Sequence, residues 1–596
     1  MYLAGVRLLN FRNFTEFSID LQPGLNIILS ENNTGKTNLL DAIRIFLNSG
    51  EERRDIWASL QDLHHDDEGR VVSDTFEIHL TFRDLSTEEW GLFNPCRVTI
   101  DGEDVAQIHF LYKYKKYITA KGRERGRPTM WGGETEGTEI PREAIEEVRV
   151  TFLPALRNAE ADLRPGRNTR VSRLLAEVKE TQAELDALVK EVQGANDAIQ
   201  SLDLIKRAEK IINENLADII GPVRPQSASF AMSEPEFREI ADSIKVLVGS
   251  RKHFEVTENG LGYNNLLYIS TVLGELSRSA ENEVSLPILM IEEPEAHLHP
   301  QLQMLLVDHL VNRVDLPVQV LLTSHSPTLA SKVPVDRISV LHEGRTGNKA
   351  GKIVVKPIRD CGLDIDQKQD LSRYLDITKS TLFFSRGVIL AEGISEALLL
   401  PVLARKMGID LAQHAVTVVN VSSLAFEPFA KLFQEGGLDI PCALITDADP
   451  RVEEDENVSE GEKDQVEYPD QLIRISAAAT RLQSLKSGQL QVFLAYKTFE
   501  YDLALTSDNN ALVMARVYKD MGHPEIGEKI EESLAQCTTL RQKAKAFYQP
   551  SLEKYPREKA RFAQRLAAYL DNNESSFAVP EYIQRAISHA IGEGEW

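Results

Sequence analysis

Cysteine is scarce: Cys96, Cys361, Cys442 and Cys537 are the only four in 596 residues, far apart and without a CxxC spacing. That argues against a zinc site or a disulfide framework, and a reducing cytoplasm is expected. Long apolar runs are missing too. No stretch approaches the roughly 18 residues of a membrane-spanning helix, so no membrane partner is expected. The opening "MYLAGVRLLNFRNF" carries Arg7 and Arg12 inside its apolar pattern and lacks the uninterrupted core of a signal peptide. Net positive charge is absent as well. A formal charge of −24 repels a phosphate backbone, which weighs against indiscriminate nucleic-acid binding but leaves room for a local basic groove.

What is present is ordinary globular material. At 42% hydrophobic and 27% charged residues the chain is not disordered, and its length suggests about three or four units at roughly 150 residues each. "LNIILS", "FEIHLTF" and "EVRVTFLP" read as strands. The basic, tyrosine-bearing strip "YKYKKYITAKGRERGR" (112–127) reads either as a solvated hairpin or as a phosphate-contacting edge. From Leu174 the period changes: Leu174, Val178, Thr181, Leu185, Leu188, Val192, Ala195, Ile199 and Leu202 follow steps of four and three, a heptad seam. It needs a partner helix, from this chain or from a second copy, and Gly221 and Pro222 close the segment. The acidic "VEEDENVSEGEKDQVEYPD" (452–470) reads as a mobile loop, and the chain from about Ser507 to Trp596 as helices.

"IILSENNTGKTNLLDAI" sets an apolar strand, a small-residue loop and an amphipathic helix in succession. This is a P-loop layout, in which loop amides and the helix N-terminus face phosphates, Lys36 reaches the β and γ groups and Thr37 ligates Mg²⁺. Asn32, Asn33, Gly35 and Asn38 complete the candidate contacts to ATP, while Ser30 stands where the pattern expects its first glycine. Downstream, "ILMIEEPEAHLHP" ends a strand in Glu292 and Glu293, and "LLTSHSP" ends another in His325. The set resembles an ABC-type ATPase. In that family the first acid holds Mg²⁺ through water, the second polarises the attacking water and the histidine senses the γ-phosphate. Glu292 replaces the usual Asp and is one methylene longer. "ENGLGYNNLLYIS" resembles a degenerate ABC signature, with Gly260 and Gly262 opening a helix onto the nucleotide of a second subunit.

In "VILAEGISEALLL" (388–400) a buried strand stops at Glu392, and Glu396 lies one helical turn further. "CALITDADPR" ends another strand in Asp447 and Asp449, whose side chains point the same way because strand residues alternate. Hard oxygen ligands of this kind select Mg²⁺ or Mn²⁺. EGxxE followed by DxD resembles the Toprim domain of topoisomerases, primases and certain nucleases, which binds one or two divalent ions that act on phosphodiesters. Head, helical insert and Toprim together resemble the OLD (overcoming lysogenization defect) family of ATPase-nucleases, which includes the large subunit of the Gabija defence system. "NFRNF" (10–14), "LPALRNAEADLRPGRNTRVSRLL" (153–175), "TFEYDLA" (498–504) and "EKARFAQRLA" (558–567) agree with it.

The resemblance implies an α/β fold: an ABC-type ATPase head in two parts (1–165 and 223–378) around a helical dimerisation insert (166–222). A Toprim nuclease core (379–506) and an α-helical C-terminal part (507–596) follow. It implies Glu392, Glu396, Asp447 and Asp449 as metal ligands, and Glu500 as the later acidic ligand, with Asp502 as its alternate. Lys559 would neutralise charge on the cleaved phosphate. It further implies DNA as substrate, ATP as regulator with one Mg²⁺ at the nucleotide, and a homodimer or higher homo-oligomer, with a UvrD-like helicase subunit as an open option, as in Gabija. The rival expectation is an ATP-gated DNA-binding clamp similar to RecF and SMC heads, its Toprim domain inactive.

Overall fold

The computed structural model of the chain describes residues 1–47, 56–66, 68–115, 125–166, 169–177, 182–220, 226–232, 236–249, 252, 254–282, 286–312, 317–345, 350–422, 426–448, 451–452, 473–474, 476–572 and 576–593. They fall into two compact units: residues 1–142, 303–314 and 321–596, and residues 143–302 and 315–320. Among the described residues no helix is long and apolar enough to cross a membrane.

In the first unit, the N-terminal strands Tyr2–Phe11, Phe14–Asp20, Thr75–Arg83, Arg97–Ile100, Glu103–Lys115 and Arg125–Gly132 form an antiparallel sheet. Strict alternation in "TFEIHLTFR" turns Phe76, Ile78, Leu80 and Phe82 to the core, each fully buried. The same alternation decides part of the basic strip. Tyr112 points inward and stacks on Phe76 at 5.1 Å between centroids, so it is a core residue and not a contact surface. Residues 116–124 of the strip lie outside the described residues.

A second sheet of this unit carries Leu25–Ser30, buried at every position, paired in parallel with Ile338–Glu343 and flanked by Gln319–Ser324. A third, all-parallel sheet runs in the order Val416–Asn420, Gly387–Ala391, Cys442–Thr446, Leu490–Leu494. Helices cover it, as parallel sheets require. Helix Ile394–Lys406 packs on helix Lys559–Asn572, burying Leu399, Leu403, Phe562 and Leu566 completely. At about 1.5–3 kcal/mol for each large apolar side chain, this pairing fastens the C-terminal helices to the sheet. The C-terminal part is helical as its composition implies. The acidic segment 453–472 lies outside the described residues.

In the second unit, Val148–Leu153 and Leu286–Glu292 pair in parallel beside the 22-residue helix Leu261–Asn282. The heptad seam is described on two helices. Its first residue, Leu174, sits on helix Arg170–Glu177, which packs on Leu261–Asn282; a Cβ on Gly274 would lie 3.5 Å from Leu174. Residues 178–181 lie outside the described residues. Helices Gln182–Gln200 and Asp203–Ile220 then form a hairpin, with Leu202 in its turn. Leu174 thus finds its partner helix within this unit. Leu204, Ile211 and Ile219 on the hairpin remain exposed at 70%, 58% and 82%.

Candidate functional site

The P-loop begins where Leu25–Ser30 ends. Ser30 still has strand geometry, so it needs no glycine; its Oγ accepts from Thr34 Oγ1 at 2.6 Å and donates to Glu31 O at 3.0 Å. Gly35 does need to be glycine. Its φ is +101°, and a Cβ would stand 2.7 Å from Asn13 Nδ2 and 2.8 Å from Phe14 Cζ. Asn33 also has positive φ, 66°, a strained conformation that asparagine tolerates. Lys36 Nζ donates to Ser30 O at 3.3 Å and Glu31 O at 2.9 Å, and Thr37 stands in the first turn of helix Lys36–Leu47.

The "NFRNF" stretch buttresses this loop. Asn13 Nδ2 donates to Thr34 O at 3.3 Å, Asn38 Nδ2 donates to Asn13 Oδ1 at 2.7 Å, and Arg12 Nη1 donates to Asn38 Oδ1 and Asp41 Oδ2, both at 2.8 Å. Arg12 was not among the site residues expected from sequence. Asn32 and Asn33 line a cavity of about 230 Å³ together with Arg345 and Arg386. Across it, Arg386 Nε pairs with Glu31 Oε2 at 3.1 Å. His325, in the same unit, follows Gln319–Ser324, the strand beside Leu25–Ser30.

In the second unit Glu292 is the last residue of its strand, and Glu293 follows with φ +44°. Left-handed backbone at a glutamate costs of order 1 kcal/mol and clusters at functional sites. Arg157, just past Val148–Leu153, donates through Nη2 to Glu293 O at 3.4 Å, while its Nε and Nη1 have no partner among the described residues. Sequence reading missed it, because a lone arginine after a strand carries no spacing signal. Gly262 is fixed by close approach, since a Cβ would lie 2.9 Å from His297 O; Gly260 faces open space at the start of helix Leu261–Asn282.

The acidic residues of the third sheet come from separate segments. Glu392 follows Gly387–Ala391, every residue of which is buried. Its Oε2 accepts from Thr446 Oγ1 at 2.9 Å and from Asp447 N at 3.4 Å, so the two strand ends meet directly. Asp447 Oδ1 accepts from Phe499 N at 2.9 Å, tying it to helix Phe499–Leu505. On that helix Glu500 is 2% exposed and its Oε2 lies 2.9 Å from Lys559 Nζ. Glu396 folds back over Gly393, where a Cβ would come 2.9 Å from its Oε2. Asp502 faces another way: its carboxylate accepts from the amides of Tyr496 and Lys497 and so holds the turn before the helix. Asp449 lies outside the described residues.

Burial, and then the charges of Glu500 and Glu392, push the Glu396 carboxyl up to about 7, against the pull of its own amide and of Lys559. Burial, then Glu396, Glu392 and Glu500, raise Asp447 well above the usual carboxylate range. Burial pulls the Lys559 ammonium down, but Glu500 outweighs it and the net shift is upward. Among the described residues no three acidic, histidine or cysteine side chains already close into a ligand shell. The donors nevertheless fit a hard divalent cation: all are oxygens, and the raised carboxyls lack the positive charge an ion would bring.

Residues 1–130 and 137–330, just over half the chain, match the family described as "AAA ATPase domain". Residues 383–449, which hold Glu392, Glu396 and Asp447, match "Overcoming lysogenization defect protein-like, TOPRIM domain". The chain is similar to the OLD nuclease of Thermus scotoductus, 25% identical over 556 residues that cover 88% of this chain and 96% of the relative.

The chain belongs to the OLD family of ATPase-nucleases.

Endonuclease GajA of Bacillus cereus is 24% identical over 391 residues, 56% of this OLD-family chain and 54% of its own length. The solved C-terminal region of the Burkholderia pseudomallei OLD protein shares 24% identity over 35% of this chain and 97% of that one, with a TM-score of 0.26. As an OLD-family member the chain is a nuclease with an ATPase domain, a class that uses a nucleotide and a divalent cation.

The cluster has a measurable cost in stability. An acid whose folded-state pKa is raised keeps its proton where the unfolded chain has lost it. Between its ordinary 4.5 and about 7, Glu396 therefore makes the folded OLD-family chain less stable as pH rises. The full effect, above pH 7, is of order 3 kcal/mol. In chelator, the melting temperature of the wild type is expected to fall from pH 5 to pH 8, and Glu396→Gln to flatten that fall and raise the value at pH 8. A variant with the wild-type slope would show that Glu396 titrates normally.

Proposed function

We propose that the chain is an ATP-regulated, divalent-metal-dependent DNA endonuclease, acting as a homodimer or higher oligomer in defence against phage. The observation that carries the reading is the gathering of Glu392, Glu396, Asp447 and Glu500 with Lys559, from segments far apart in the chain, at the carboxyl edge of one parallel sheet. With Asp449, these carboxylates would hold one or two Mg²⁺ or Mn²⁺ ions, which when bound lower the pKa of water and polarise phosphate oxygens. Glu392 and Asp447 orient one another through Thr446 and the Asp447 amide. Lys559 is held by Glu500 and offers its ammonium to the charge that builds on the phosphate.

Phosphodiester hydrolysis needs no ATP, so the nucleotide acts as a regulator. The Arg386–Glu31 pair supports this role. Glu31 is a P-loop residue whose carbonyl accepts from Lys36, and Arg386 immediately precedes the strand that ends at Glu392. Recruitment of Lys36 to phosphate would free Glu31 and change what holds Arg386. The exposed Leu204, Ile211 and Ile219 support a second copy packing on the helical hairpin.

Supercoiled plasmid incubated with the protein in Mg²⁺ or Mn²⁺, with and without ATP, tests the reading. Nicked or linear product that requires metal, changes with ATP and falls steeply with salt is expected. Arg386→Ala should still cut but lose its response to ATP. Plasmid left intact in every metal and nucleotide state would leave an ATP-gated DNA-binding clamp instead.

A further inference from the structure

Helix Glu581–Ala590 belongs to none of the motifs, yet it is aimed at the carboxylates. It packs on Gly387–Ala391, Cys442–Thr446 and Leu490–Leu494. Its C-terminal end meets the starts of two of these strands: a Cβ on Gly387 would lie 1.9 Å from Ala590 O, and His589 Nε2 lies 3.0 Å from Gln489 O, one residue before Leu490. The helix therefore runs antiparallel to the strands. Its eight-residue rise from Ala590 back to Tyr582 is about 12 Å at roughly 1.5 Å per residue. The five-residue strand Gly387–Ala391 climbs a similar ~13 Å at roughly 3.3 Å per residue. Tyr582 thus stands level with the strand ends, where Glu392 and Asp447 sit.

Its hydroxyl oxygen is buried and has no hydrogen-bond partner among the described residues. Burial raises the phenol well above its usual value, and the charges that act on it further are Asp502, Asp447, Glu396 and Glu500. An unsatisfied buried hydroxyl costs about 1–3 kcal/mol, and phenylalanine would fill the same space without that cost. The hydroxyl is explained if its partner arrives from outside the chain.

We propose that Tyr582 is a further positioning residue of the nuclease site, its hydroxyl hydrogen-bonding a water of the hydrated divalent cation that the carboxylates hold. The inference rests on the metal-dependent reading above. A hard divalent ion keeps several of its waters when bound, and each needs a partner in a buried pocket. Groups that orient what surrounds a bound ion are typically worth about 10–100-fold in metal affinity or activity.

Tyr582→Phe tests this, because it removes one oxygen and breaks no hydrogen bond among the described residues. Binding of Mn²⁺ alone, without nucleotide or DNA, is followed by the loss of the free-ion signal in electron paramagnetic resonance. The expected result is a site in the wild type that Glu392→Ala abolishes and Tyr582→Phe weakens about tenfold. In Tyr582→Phe the melting temperature in chelator should rise, since the unsatisfied hydroxyl is gone, and ATP turnover should be unchanged. Equal Mn²⁺ affinity in Tyr582→Phe and wild type overturns the role of the hydroxyl and leaves the metal centre standing. Absence of any Glu392-dependent Mn²⁺ binding in the wild type overturns the metal centre itself, and the proposal with it.

Discussion

Glu392→Gln is expected to lower metal-driven plasmid cleavage by about 10³-fold or more, the scale on which loss of a group that stabilises transition-state charge is felt. The change keeps the shape of the side chain and its acceptor oxygen, so Thr446 Oγ1 and the Asp447 amide keep a partner and the strand ends stay together. What disappears is one negative charge beside Glu396 and Asp447, both of which Glu392 pushes upward. Folding should therefore be unharmed, and in chelator the variant should melt at the wild-type temperature or above it. Gel quantification of nicked plasmid over time, with the melting curve alongside, checks both halves. Wild-type cleavage by Glu392→Gln would remove the carboxylate from the metal set.

Lys36→Ala is expected to reduce ATP turnover by about 10³-fold, because the amine is the charged donor of the loop and phosphoryl transfer is catalysed chiefly by positioning and electrostatics. Nicking should survive in part, since Lys36 belongs to the P-loop and the carboxylates to another sheet. ATP should also lose its effect on nicking. Released phosphate and nicked plasmid measured on one preparation separate these outcomes. Equal loss of both activities would mean that the two sites work only together.

The architecture was legible because its motifs are local. A P-loop, a strand ending in paired acids and an EGxxE–DxD series each pack their chemistry into a few residues, and their order restricts the fold to an ABC-type head followed by Toprim. Glu500 and Lys559 were reached only through resemblance, since nothing in their own spacing links them; what joins them is the 2.9 Å ion pair between helices Phe499–Leu505 and Lys559–Asn572. Arg12 and Arg157 lie in stretches that resemble the family, "NFRNF" and "LPALRNAEADLRPGRNTRVSRLL", but their spacing gave neither a role. Tyr582 was invisible for a related reason: a tyrosine at the start of an amphipathic helix reads as core until the direction of that helix across the sheet is known. The heptad seam gave the period of helices and left the partner open; for Leu174 it is helix Leu261–Asn282 of the same chain. In the basic strip, composition marked Tyr112 as surface, and the phase of strand alternation turned it inward.

Lys559 lies 167 positions after Glu392, and it is the only cation paired with Glu500 among the described residues. At about 5–20 residues per second of synthesis, a ribosome spends roughly three to twelve seconds on the 59 positions from Glu500 to Lys559. Throughout it, Glu500 has no counter-charge from Lys559. Any product of premature termination before Lys559 would lack both that counter-charge and the packing of helix Lys559–Asn572 on helix Ile394–Lys406.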